Sequence, residues 1–171
     1  MDGELSEPEK DPHRLATLKA YVLPRSVEQT DWSVAAQEWY CAAVEVKDHG
    51  VCVCGQTPIH RHCHIKNRLN GGEIVVGSSC VDRFGGDLAK QVRSVFSSLQ
   101  RIRKDPKVRA SAELLDMAQK QGIASEADAT LYRLVLRKRN LEAGELDTIA
   151  RVNKAIVDAM GATTEQDDSE E

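Results

Sequence analysis

Thiols and imidazoles are the side chains of this chain best suited to hold a metal, and they crowd into one stretch. Four of the five cysteines and three of the five histidines lie between Cys52 and Cys80. The stretch opens as Cys52-Val53-Cys54-Gly55, two thiols one residue apart, then a glycine that lets the backbone turn so both sulfurs can face one point. It closes on Cys80, just ahead of Val81-Asp82-Arg83-Phe84, which reads as a helical turn. A thiol at a helix start gains from the positive end of the dipole, which favours the thiolate that zinc requires. Cys52, Cys54 and Cys80 are therefore expected to hold Zn2+, which takes four N or S ligands in a tetrahedron. The fourth place stays open among Cys63, His60, His62 and His64. Strand alternation favours Cys63, on the face of Ile65, and leaves His62 and His64 as alternates on the opposite face. The competing reading is a set of buried free cysteines, which four thiols bracketing a hairpin disfavour. Cys41, eleven residues before Cys52, reads as a small core side chain. His60, His62 and His64 would form a solvent-facing row, able to touch a second metal or phosphates but more simply an exposed set of neutral rings.

Positioning these ligands takes few elements. Trp39 to Val46 alternates as a strand, and two short apolar segments, Cys63–Arg68 and Glu73–Val76, flank Asn70-Gly71-Gly72, a two-residue hairpin signal. A cysteine turn, a hairpin and a helix start bearing a ligand outline a small treble-clef-like zinc module over residues 31–86. Ahead of it, residues 1–30 read as an acidic flexible terminus plus a short helix from His13 to Leu23, closed by Pro24. Asp31 is a fitting N-cap for a second short helix.

The pattern CxCG, IxN, NG, VGxxC and a following Phe resembles a family of small, mostly uncharacterised zinc-finger proteins of bacteriophages and prophages. Here it is carried by Cys52-Val53-Cys54-Gly55, Ile65-Lys66-Asn67, Asn70-Gly71, Val76-Gly77-Ser78-Ser79-Cys80 and Phe84. Glu38-Trp39 upstream, and basic Arg137-Lys138-Arg139 ahead of Leu141 and a final helix, are also similar. The resemblance spans about residues 31–160 and is specific from Cys52 to Phe84. It implies a structural metal site and brings neither a reaction nor a substrate.

After Gly85-Gly86 the pattern is helical to Gly161, a helical domain over 87–161 that makes the fold class α+β. Asp87 is the expected cap of a long helix with Leu88, Val92, Val95, Phe96, Leu99 and Ile102 on one face. A second runs from about Ser111 to Gln121. A third reaches Arg139 with Leu131, Leu134 and Val135 inward, and Ser125 with Asp128 resembles a capping box. A fourth begins near Glu142. Residues 162–171 read as a disordered acidic tail.

Composition bounds the function. The net charge of −4 gathers at the two acidic ends, so the body between them is slightly basic. Aromatic residues make up 4%, too few for a large base-stacking platform. No apolar run approaches a membrane span of about 20 residues, and the acidic N-terminus is no secretory signal, so a cytoplasmic location is expected. No small-molecule substrate is evident. A zinc site closed by four protein ligands keeps no position for a reacting water, so a non-enzymatic protein is expected. A nuclease built on His64 and Asn67 is the lesser alternative. Arg101, Arg103, Lys104, Arg137, Lys138 and Arg139 cluster at two helix ends. There they stabilise the helix dipoles or, functionally, meet nucleic-acid phosphates. The alternative partner is a host protein.

Overall fold

A computed structural model describes residues 12–161; the expected acidic tails fall outside the described residues. The fold is mixed α+β, with seven α-helices and one three-stranded antiparallel sheet of order β1-β2-β3 among those residues. Helix α1 is Pro12–Val22, and Pro24 sits in a 3-10 turn, Leu23–Arg25, that carries the chain off its end. Helix α2, Trp32–Ala36, is capped by Asp31, whose carboxylate accepts from the backbone N–H groups of Ser33 and Val34.

The sheet comprises β1 (Trp39–Val46), β2 (Arg61–Asn67) and β3 (Glu73–Gly77). Cys63 lies between Val44 and Val76, and Ile65 between Cys41 and Ile74, so these six share the core face. The β1 alternation breaks at Ala42, the extra residue of a bulge between Cys41 and Ala43, which lets Cys41 and Val44 both point inward. The β2–β3 connection is longer than the expected two-residue turn and runs over residues 68–72. Asn67 shapes it. Its side-chain carbonyl accepts from the N–H groups of Leu69 and Asn70, and Gly71 follows at φ 75°.

Helix α3 (Ser78–Phe84) follows β3 directly. Helices α4 (Gly86–Lys104), α5 (Ala112–Lys120), α6 (Glu126–Val135) and α7 (Ala143–Met160) complete the chain. Asp87 is not the cap of α4. Gly85 takes that place at φ 67°, and Asp87 lies in the first turn, where its charge suits the helix dipole. Ser125 caps α6 as expected, but the Asp128 carboxylate turns to Arg151 instead of closing a box. A true capping box joins Glu142 and Glu145 at α7. Helix α6 stops at Val135, short of the expected Arg139, and its inward face is Ala129, Tyr132 and Val135. Leu131 and Leu134, expected inside, are 52% and 67% exposed. The buried side chains of sheet and helices form one continuous core.

Candidate metal centre

The cysteine turn is built by backbone bonds. The Gly55 N–H donates to the Cys52 carbonyl at 2.8 Å, and the Cys52 N–H donates to the Gln56 carbonyl at 2.9 Å. Gly55 has φ 90°, a conformation that a side chain would strain. The tight turn points Cys52 and Cys54 the same way, toward the third residue of α3, Cys80. The three sulfurs lie within 4.8 Å of one another and are buried. Zinc with Zn–S bonds of about 2.3 Å needs sulfurs about 3.8 Å apart in a tetrahedron. Three clustered thiols with no carboxylate among them suit a thiophilic ion such as zinc. The donor set therefore fits a metal, with Cys52, Cys54 and Cys80 as its ligands.

Local electrostatics favour thiolate at Cys52. A hydrogen bond from the Cys80 thiol, aided by the backbone at Cys54 and Gly77, outweighs burial and brings Cys52 down to about 5. The same bond, with burial and the other sulfurs, pushes Cys80 up. Metal ligation requires the thiolate form, so a bound cation would displace thiol protons from this group. The Gly77 N–H donates to Cys52 Sγ at 3.3 Å, an orienting contact of the kind that fixes metal ligands. Sequence reading missed this contact. A glycine ending a strand directly before the ligand-bearing helix was its available signal.

Cys63 is not within that three-sulfur group. It is fully buried on β2, and burial first, then the nearby Cys41 and Cys52, pushes its thiol up. His62 and His64 also lie outside the group. His62 is not part of a solvent-facing row: it is 5% exposed, its Nε2 is 3.0 Å from the Ile59 carbonyl, and its ring fills the space beside Gly50. A Cβ added at Gly50 would fall 1.9 Å from the His62 ring. His64 is half-buried beside the Glu45 carboxylate at 3.4 Å, and His60 is exposed. Cys41 is a core residue, as expected, and burial raises its thiol to about 12. Asn67 is wholly engaged: its amide donates to Glu38 Oε2 at 2.7 Å while its carbonyl shapes the turn.

The basic residues read from the helix ends are all exposed: Arg101, Arg103 and Lys104 on α4, and Arg137, Lys138 and Arg139 after α6. The two runs, more than thirty residues apart in sequence, meet through Arg109, whose guanidinium donates to the Lys138 carbonyl. Beneath them the Tyr132 hydroxyl accepts from Ala110 N–H at 2.7 Å and donates to Asn153 Oδ1 at 2.8 Å. The Asn153 amide donates to the carbonyls of Pro106 and Val108, both at 2.7 Å. This buried network pins the α4–α5 loop to α6 and α7. Lys138 is paired with Glu145, and Arg133 with Asp116. No helix among the described residues is long and apolar enough to cross a membrane. The chain matches no protein-family profile, no curated protein and no solved structure.

Proposed function

We propose that this is a non-enzymatic, phage-type protein in which a structural Zn2+ closes a treble-clef-like module and the basic helix ends bind nucleic-acid phosphates. The metal half rests on Cys52, Cys54 and Cys80, carried by a tight turn before the hairpin and by the helix after it. Cys63 is the fourth ligand in this reading. It is buried on β2, on the core face between Val44 and Val76.

The observation that carries the nucleic-acid half is the convergence of two basic runs on Arg109 and Lys138 over a pinned loop. Exposed guanidinium and ammonium groups held on a rigid support can replace counterions along a phosphate backbone without reading bases. Titration of labelled single- and double-stranded DNA at low and moderate salt tests this. Binding is expected to be sequence-tolerant and to weaken steeply with salt, and Arg101→Glu or Arg137→Glu should weaken it further. Absence of binding at low salt would overturn it. One observation favours a second reading, a host-protein partner: Leu131 and Leu134 stand exposed one turn apart on α6. Such binding would survive salt and fail in Leu134→Lys.

A further inference from the structure

Three of the chain's seven aromatic residues, including both tryptophans, line one cavity of about 560 Å³. Its walls are α2, the start of β1, Arg68 just after β2 and the α3–α4 junction. Half-buried Trp32 supplies ring surface, backed by the buried rings of Trp39 and Phe84, with Trp32 and Phe84 tilted together at 5.1 Å between centroids. Arg68 and Arg83 supply positive charge, and Lys19 lies 5.8 Å from the Trp32 ring. The volume falls within the range of about 300–1,000 Å³ typical of small-ligand pockets.

Two features point to an anion. Arg83 and Arg68 both line the cavity, so two guanidinium groups face a lining with a single carboxylate, and guanidinium pairs strongly with charged acceptors. Gly85, Gly86, Asp87 and Leu88 form another wall, where α4 begins with no side-chain cap. The opposite wall is braced. Trp39 donates through Nε1 to Ser26 Oγ at 3.0 Å, and the adjacent Glu38 accepts from Val27, Glu28 and Asn67. Trp32 donates through Nε1 to the Arg83 carbonyl at 3.3 Å, tying the ring to the main chain at the end of α3. Asp87 is the one acid on the lining.

We propose that this cavity binds a flat ring bearing a phosphate, of mononucleotide size, with the aromatic wall against the ring and Arg83 and Arg68 on the phosphate. Rings stack on aromatic side chains with little base preference, and guanidinium matches phosphate in geometry. The site is independent of the basic helix ends. It adjoins the first turn of α4, and Arg101–Lys104 lie at the other end of that 19-residue helix, about 25 Å away at 1.5 Å per residue.

Both tryptophans line the cavity, so their fluorescence reports its occupancy directly. Titration of the full chain with AMP is expected to give a saturable change. Adenosine and inorganic phosphate should each bind about tenfold or more weakly, since each lacks one half of the ligand. Arg83→Gln should weaken AMP by about tenfold or more, and Arg68→Gln by a smaller factor, at unchanged melting temperature. If Arg83→Gln does not fold, Arg68→Gln and the two half-ligands carry the test. A 5′-phosphorylated trinucleotide binding tighter than AMP would support the site with a strand end as its source, and weaker binding would support it with a free nucleotide. No saturable change up to about 10 mM AMP, phosphate or adenosine matching AMP, or AMP affinity unaltered in folded Arg68→Gln and Arg83→Gln would overturn it.

Discussion

Glu38 accepts from three donors: the backbone N–H groups of Val27 and Glu28, each at 2.8 Å, and the Asn67 amide at 2.7 Å. Burial alone would raise its carboxyl, but the bonds from Asn67, Glu28 and Val27 prevail and leave it below the ordinary carboxylate range. The sign follows. A folded-state pKa lowered from its unfolded value adds stability that is complete above the unfolded value and lost as pH falls through the folded one. Glu38→Gln sets an amide N–H against at least one of these donors, so about 1–3 kcal/mol of stability should go at neutral pH. The acid slope of the urea midpoint should also flatten; a midpoint with the wild-type value and slope would refute the assignment. Among the thiols, Cys63→Ser should cut zinc affinity by more than the roughly 10–100-fold typical of outer-shell changes, whereas Cys41→Ser should leave it unaltered. Metal content after dialysis against a graded chelator separates the two. Equal retention by Cys63→Ser and wild type would remove Cys63 from the ligand set.

At the scale of elements, what could be read depended on whether a rule was local. The Asp31 and Ser125 caps, the helix starts near Ser111 and Glu142 and the end at Gly161 were legible because a cap acts within one turn, whereas Gly85 at positive φ displaced Asp87 as the cap of α4. Alternation placed Cys63 and Ile65 inside correctly. It failed for His62 because the residue 47–60 loop folds back and Gly50 leaves room for the ring. Periodicity misjudged α6 for a related reason. Tyr132 goes inside, where its hydroxyl meets Ala110 and Asn153, groups supplied by two distant segments. That network makes a testable claim. Tyr132→Phe keeps the ring and removes the bonds, leaving the Ala110 N–H and the Asn153 carbonyl unmet in the core. Stability should fall by about 1–3 kcal/mol. DNA affinity should fall with it if the pinned loop presents Arg109 and its neighbours. A Tyr132→Phe protein as stable as wild type would show that ordered water replaces the hydroxyl.

For the whole molecule, the zinc-binding segment and the helices were expected as successive domains, yet their buried residues run together. Gln91 on α4 donates to the Cys41 carbonyl at 3.3 Å, and Gln121 after α5 donates to the Ala42 carbonyl at 3.0 Å, both at the β1 bulge. Gly161 closes a parallel bridge to Val46 at the far end of the same strand. Strand β1 is therefore held by the sheet on one side and by helical segments on the other, and it runs directly into the loop that carries Cys52 and Cys54. Structural zinc contributes about 10–16 kcal/mol of apparent binding free energy, comparable with the whole stability of an ordinary domain, about 5–15 kcal/mol. Removing the metal should therefore lower the stability of the helices as well as the sheet. Chelation should drop the melting temperature by at least about 10 °C. Far-ultraviolet ellipticity, which follows the helices, and tryptophan fluorescence, which follows α2 and β1, should shift together in one transition. If fluorescence shifted while the helical melt stayed in place, the two parts would be separate cooperative units despite the core they share.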